Sequence, residues 1–192
     1  NPRNPWPNEK GLSSSKHFSS IAKRVKTFSS IPKAVKKSDL IIATTVRSRD
    51  FNIPQIKIQD IKTINAKNIS ILFGQENNGL SNQEISYSNY ILTLPTLNKR
   101  SLNLSHSISV VAYELSQLET LKPDQNKVDL LKSDQIENFL NFLMKTLKNK
   151  EFTTIPSKRL KLEISIRNFL KTSKIDEKSL KTAYGILKFI TK

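Results

Sequence analysis

The sequence predicts an α/β protein, a mostly parallel sheet with helices on both faces, followed by a small helical part. Three observations carry this. Short apolar, β-branched runs recur at Asp39–Thr45, Asn68–Gly74 and Asn89–Pro95, each bounded by polar residues, glycine or proline. Helical patterns separate them. Beyond residue 132 only the 3.6-residue period of amphipathic helices remains. Runs with no alternation between faces fit strands covered on both sides, which is the habit of parallel sheets.

The elements follow in order. Helical segments are expected near Ser14–Lys23 and Ile31–Lys37, with a shorter strand around Arg24–Phe28. Ser81-Asn82-Gln83-Glu84 reads as a capping box, so the second strong strand leads through a short loop into a helix over Ser81–Ser88. A longer helix should run from Leu104 to Leu118 with Leu104, Ile108, Val111, Ala112 and Leu115 on one face. Residues 119–132, with Pro123 and mixed charges, read as a linker between a first domain at 1–118 and a basic three-helix extension at 133–192. Its helices carry the stripes Ile136, Phe139, Leu140, Leu143, Leu147, then Leu162, Ile166, Phe169, Leu170, then Leu180, Ala183, Tyr184, Leu187, Ile190. Such stripes usually form a small core.

Composition narrows the function classes. With 192 residues and 36% apolar content, the chain can bury a sizeable core. It has no run of about 18 apolar residues, so no membrane span is expected. It has no cysteine, which excludes disulfide and thiolate chemistry and fits a cytoplasmic protein. His17 and His106 are isolated, so no metal site is expected. Lys and Arg number 32 against 16 Asp and Glu, a net charge of +16. Residues 1–118 carry 16 basic and 7 acidic residues, and residues 119–192 carry 16 and 9. So even a surplus points to a polyanionic partner, nucleic acid first and an anionic membrane surface second.

Glycine is scarce: Gly11, Gly74, Gly79 and Gly185. Two of the four fall in Phe73-Gly74-Gln75-Glu76-Asn77-Asn78-Gly79-Leu80, directly after a strand. Glycine there permits close approach of a ligand to backbone, and open α/β sheets bind ligands at that edge. An ordinary strand-to-helix turn explains the pair equally well. A phosphate loop fits less well, because no Gly-Lys-Ser/Thr follows. Two more stretches follow strands, Thr44-Thr45-Val46-Arg47-Ser48-Arg49 and Leu94-Pro95-Thr96 through Arg100-Ser101-Leu102-Asn103-Leu104. The last opens a helix, whose first turn offers unpaired N–H donors. Ser101 and Asn103 could equally be helix caps.

Taken together, Thr-Thr-x-Arg-x-Arg, Phe-Gly-x-Glu-x-x-Gly-Leu-Ser-x-x-Glu, Leu-Pro-Thr, Ser-Leu-Asn-Leu-Ser and Tyr113-Glu114-Leu115 resemble the TrmH branch of the SPOUT methyltransferases. The opening Asn1-Pro2-Arg3-Asn4-Pro5-Trp6-Pro7-Asn8-Glu9-Lys10 and the helical tail are most similar to the TrmJ-type tRNA 2′-O-methyltransferases. The resemblance covers nearly the whole chain, and its specificity lies in the ordered set of motifs. It implies a SPOUT α/β-knot whose C-terminal part is tucked into a trefoil knot, a homodimer, and S-adenosyl-L-methionine as methyl donor. By position, Thr44, Thr45, Val46, Gly74, Thr93, Leu94, Ser101, Leu102 and Asn103 should surround that donor. Glu76, Ser101 and Asn103 match active-site positions, and Arg47, Arg49 and Arg100 fall in loops expected to meet RNA. The implied reaction is 2′-O-methylation of cytidine or uridine at position 32 of the tRNA anticodon loop. No metal is required for it. A carboxylate is a weak base in neutral water, so Glu76 is expected to position groups rather than take the proton.

The resemblance also implies an earlier strand and helix with an Asn-x-x-Ala-x-x-Arg motif. These 192 residues do not contain that motif. An N-terminally incomplete methyltransferase domain is therefore expected. The alternatives are an RNA-binding fragment that keeps the donor pocket without turnover, and an rRNA 2′-O-methyltransferase.

Overall fold

The computed structural model describes residues 5–15, 18–46, 53–64, 66–96, 101–118, 131–152, 154–173 and 175–191. Four parallel strands form one sheet in the order β2-β4-β1-β3. They are β1 (Leu40–Thr44), β2 (Gln55–Ile56), β3 (Ile69–Leu72) and β4 (Tyr90–Leu92). The three strong runs thus became β1, β3 and β4. Strand β1 is central, with Leu40 opposite Ile69 on one side and Ile42 opposite Tyr90 on the other.

Successive β1 residues point to opposite faces, and both faces are covered. Leu40 and Ile42 pack with Leu92, with Ile58 and Ile61 of a 3₁₀ helix at Ile58–Thr63, and with Val111. Ala43 packs on the other face with Ile53, Leu80, Ile85 and Ile91. This is why the runs show no polar alternation. Buried Asn89 extends the pairing: its N–H donates to the Ile41 carbonyl at 2.7 Å, and its Oδ1 accepts from the Ile41 N–H at 2.8 Å.

The helices are α1 (Glu9–Ser14), α2 (Ser19–Ala22), α3 (Ile31–Ala34), α4 (Asn82–Ile85), α5 (Leu104–Leu118), α6 (Ser133–Asn149), α7 (Pro156–Thr172) and α8 (Glu177–Ile190). The capping box at α4 is present in both directions, with Ser81 N–H to Glu84 at 2.6 Å and Glu84 N–H to Ser81 at 3.2 Å. Two expectations fail early in the chain. Of the single helix expected over Ser14–Lys23, the described residues show only the end of α1 at Ser14 and the short α2 at Ser19–Ala22. Residues 25–28 form no strand, and Val25 and Phe28 stay exposed, because no sheet edge lies there to pair with them. On α5 only Val111 of the expected face is fully buried. Leu115 packs beside it, whereas Ile108 and Ala112 remain exposed.

Helices α6–α8 share a core of Leu131, Ile136, Phe139, Leu170 and Leu180, with Leu143, Ile166 and Tyr184 packed against it. Phe139 meets Tyr184 edge-to-face at 5.1 Å. Residues 119–130 of the expected linker lie outside the described residues. Leu147, Leu162, Phe169 and Ile190 of the expected stripes lie outside this core, the last two both 63% exposed. For Phe169 the reason is that α7 is buried on two other sides. Ile166 and Leu170 face the helical core, and the polar residues Arg167, Asn168 and Lys171 are buried as well.

Arg167 carries the docking of the tail onto the sheet domain. Its side chain is 2% exposed. It donates to Glu137 at 2.7 and 3.1 Å, to Glu163 at 2.8 Å and to the Ser86 hydroxyl at 3.1 Å. Its guanidinium lies 4.4 Å from the centre of the Tyr87 ring. Burial alone would lower the guanidinium's proton affinity, but the two carboxylates more than offset this. Nearby, the Ser133 N–H donates to the Ser38 carbonyl at 3.1 Å.

Two consequences can be measured. Arg167→Ala leaves two carboxylates facing an apolar gap, so unfolding in urea should show a loss of about 3 kcal/mol. An unchanged midpoint would mean the cluster adds nothing. Lys171 is the second case. Burial lowers its pKa from 10.5 to about 8, with Glu137 pulling it up and Arg167 pushing it further down. Between those pH values the unfolded chain binds more protons than the folded one, so stability should rise from pH 8 towards 10. Above 10 the buried Tyr87, whose phenol is raised, works in the opposite sense. Lys171→Met should abolish the rise between pH 8 and 10.

Candidate active site

Parallel strands place their C-terminal ends on one edge, and here two threonines tie three of those ends together. Thr44 donates through its hydroxyl to the Leu72 carbonyl at 2.9 Å, joining β1 to β3. Thr93 donates to the Thr45 carbonyl at 3.0 Å, and the Thr45 N–H donates to Leu92 at 3.2 Å, joining β1 to β4. The loops leaving these strands enclose a cavity of about 180 Å³.

The middle loop is shaped by its glycines. Gln75 and Gly79 exchange backbone hydrogen bonds at 2.8 and 3.3 Å, closing a tight turn that presents Glu76 and Asn77. Gly79 has φ +65, the left-handed conformation that glycine adopts without strain. A Cβ on Gly74 would collide with the backbone of Gly79 and Leu80. Gly74 is therefore needed for chain against chain, whereas its expected role was to let a ligand meet the backbone.

Asn103 spans two loops. Its Oδ1 accepts from the Ser105 N–H at 2.9 Å and from the Ser105 hydroxyl at 2.7 Å, which caps α5. Its Nδ2 donates to Glu76 at 3.3 Å. The capping reading and the site reading thus coexist in one side chain. The Ser101 hydroxyl makes a single long contact at 3.4 Å to the Leu102 carbonyl.

Of the residues expected around the donor, Thr44, Thr45, Val46, Gly74, Leu94, Ser101 and Leu102 line the cavity, as does Glu76. Thr93 and Asn103 do not line it; Thr93 is turned onto Thr45 and Asn103 onto Glu76 and Ser105. Arg47, Arg49 and Arg100 lie outside the described residues. Sequence reasoning missed the apolar walls, Phe73, Leu80, Leu92 and Leu104, along with Thr96 and Ser107. Phe73, Leu80 and Thr96 stood within the quoted motifs. Leu104 and Ser107 share a face one turn into α5, a spacing that could have signalled them.

The model of the SpoU rRNA Methylase family matches residues 5–113, more than half of the chain. The chain belongs to the SpoU rRNA methylase family. Tail helices α6–α8 lie beyond that match. Among curated relatives, the tRNA (cytidine-2′-O-)-methyltransferase TrmJ of Methanocaldococcus jannaschii is 31% identical over 160 residues, covering 75% of this chain and 70% of the relative. The tRNA (cytidine/uridine-2′-O-)-methyltransferase TrmJ of Photorhabdus laumondii is 28% identical, covering 64% of this chain and 56% of its own length. The crystal structure of TrmJ from Z. mobilis ZM4 superposes with a TM-score of 0.79 at 25% identity, covering all of this chain and 84% of that one. It also spans the tail, so the helical extension recurs in a solved SpoU-type structure.

Among the described residues no cluster of three or more His, Cys, Asp or Glu side chains could hold a metal, and no helix is long and apolar enough to cross a membrane. Gly74→Ala tests the loop. Forcing a methyl into the Gly79–Leu80 backbone should cost about 2 kcal/mol in chemical denaturation, the usual size of an overpacking penalty. An unchanged stability would show that the loop can move aside.

Proposed function

We propose that this SpoU-family chain transfers a methyl group from S-adenosyl-L-methionine to a ribose 2′-OH of tRNA, with cytidine or uridine at anticodon-loop position 32 as its target. The observation that carries the reading is the cavity closed by three strand-end loops, with Glu76 on its lining held by a hydrogen bond from Asn103 of the neighbouring loop. The residues fit such a donor. Leu92, Leu94, Leu102 and Leu104 offer apolar walls for a planar base, while Thr45, Thr96 and Ser101 put polar groups among them.

S-adenosylmethionine supplies a methyl already activated on a sulfonium. The protein's work is therefore to hold the attacking oxygen in line and to ease loss of its proton. Ser101, with one long hydrogen bond, has an oxygen available to meet a substrate hydroxyl. Glu76, steered by Asn103, fixes the loop that faces it. In this reading α5 belongs to the knot of the SPOUT fold and the working unit is a homodimer. Val110 and Tyr113, 42% and 65% exposed and three residues apart on one face of α5, supply an apolar surface for a second copy.

The test is transfer of labelled methyl to unmodified tRNA, followed by digestion and identification of the methylated nucleoside. A 2′-O-methylpyrimidine from the anticodon loop is expected. Glu76→Ala should slow transfer about a hundredfold, the usual effect of a misplaced reacting group. Donor affinity by calorimetry should change little. A base-methylated product would overturn the reading, and an unchanged rate would remove Glu76 from it.

A further inference from the structure

A second concave surface lies far along the chain from the cavity, where α6 hands over to α7. It is lined by Phe152, Ile155, Leu162, Lys158, Thr154 and Glu151. Three features single it out. The first is its exposed apolar surface: Phe152 is 65% exposed and Ile155 47%. Other apolar side chains of the chain are exposed too, but here the ring and the branched side chain line one hollow, and adjoining apolar groups mark interaction sites more often than single ones do.

The second is the backbone that presents the ring. Helix α6 ends with the Phe152 N–H donating back to the Leu147 carbonyl at 3.0 Å, the reverse turn that terminates many helices. The position before Phe152 needs a left-handed residue, and Glu151 sits there at φ +52 where glycine would be relaxed. The turn keeps a strained residue and turns an aromatic ring outward.

The third is charge. Residues 145–162 hold Lys145, Lys148, Lys150, Lys158, Arg159 and Lys161 against one acidic residue, Glu151. Among the described residues none of these six cations is in an ion pair. A self-contact between two copies would bring two such clusters together, and an acidic protein partner would leave the ring unexplained. A flat apolar ring with Lys158 on the same hollow, in a stretch of chain rich in further cations, matches an unpaired nucleotide, with the base on the ring and its phosphate on the cation.

We propose that the hollow formed by Phe152, Ile155 and Leu162 is a stacking site for an unpaired nucleobase of the RNA substrate, with Lys158 contacting the adjoining phosphate. This rests on the reading of the chain as a tRNA methyltransferase and adds a contact outside its donor cavity. It also gives the Arg167 contacts a purpose: a stacking ring sets a distance from the reacting ribose only if its helix is held against the sheet domain.

The experiment measures binding of unmodified tRNA, and of a short single-stranded pyrimidine RNA, across a range of salt concentrations. Phe152→Ala should weaken both at least about fivefold, because one stacked base is worth about 1–3 kcal/mol. The salt slope should stay the same. Phe152→Trp should restore affinity, and Phe152→Leu, equally apolar but without a ring face, should not. Lys158→Gln should instead make the log–log slope shallower by about 0.7, one phosphate on a single strand. Because Phe152 is mostly exposed, its variants should keep the wild-type unfolding midpoint, and calorimetric affinity for S-adenosylmethionine should be unaltered. Full rescue by Leu, or unchanged RNA affinity in Phe152→Ala, overturns the stacking site and leaves the proposed activity standing. A change in sedimentation without a change in RNA binding would assign the hollow to a protein contact and overturn it too. If the wild-type chain binds no RNA at all while still binding the donor, both proposals fall.

Discussion

Parallel pairing of β1 with a neighbour on each side is the constraint on which the site depends. A parallel sheet puts every strand's C-terminal end on the same edge, so adjacency in the sheet becomes adjacency of loops. Strand β1 lies between β3 and β4, and all three loops of interest follow these strands. The threonine bonds from Thr44 to Leu72 and from Thr93 to Thr45 extend the pairing by one residue beyond the ladders. Loops held this close to rigid strands can carry reacting groups with the small positional error that catalysis tolerates.

The helical tail meets the sheet domain through charge, in a region where apolar contact would have been simpler. A buried arginine with two carboxylates is seldom worth more than a well-packed apolar replacement. What it adds is direction. Arg167 reaches Ser86 and Tyr87, just ahead of β4, while the two glutamates hold its fork from α6 and α7. Only one orientation of the tail satisfies all of these groups at once. Ser86 and Tyr87 lead through Asn89 into β4, whose C-terminal end lines the cavity at the strand ends. The tail is therefore anchored to the same strand that helps build the site.

Much of this was legible because local signals and tertiary demands agreed. Strands β1, β3 and β4 announced themselves as β-branched runs, the Ser81–Glu84 box marked α4, and Leu104–Leu118 came through as one helix. Strand β2 left no trace because two residues carry no period; it exists only through its register with β4. The expected strand at Arg24–Phe28 had strand-like residues but no partner. The site was readable as a set of loops and less so as a set of contacts. Gly74, read as opening onto a ligand, is demanded by Gly79 and Leu80, and Asn103 serves as helix cap as well as partner to Glu76. Arg167 was invisible for a different reason. Pattern reading assigns charged residues to the solvent face, and here that face of α7 is where the second domain surface lies.

Few of the described acidic residues are spent on neutralising surface lysines, which leaves the net charge of +16 largely carried by unpaired lysines. Many of the acids have structural work. Glu137 and Glu163 are committed to Arg167, Asp39 accepts from the N–H groups of Lys67 and Asn68, Glu84 closes the capping box, Asp176 caps α8, and Glu177 pairs with Lys181. Only one of these pairings, the exposed Glu177–Lys181, neutralises a surface lysine. Mutual repulsion among the remaining cations costs stability at low ionic strength, a cost that salt relieves. A polyanion relieves it as well, and more strongly, because each neutralised phosphate releases a bound counterion. A fold that spends described carboxylates on a buried arginine and on helix ends, and leaves its lysines to water, is therefore stabilised by any polyanion it binds. If the proposed RNA substrate is that polyanion, its charge eases a strain that the folded chain carries alone.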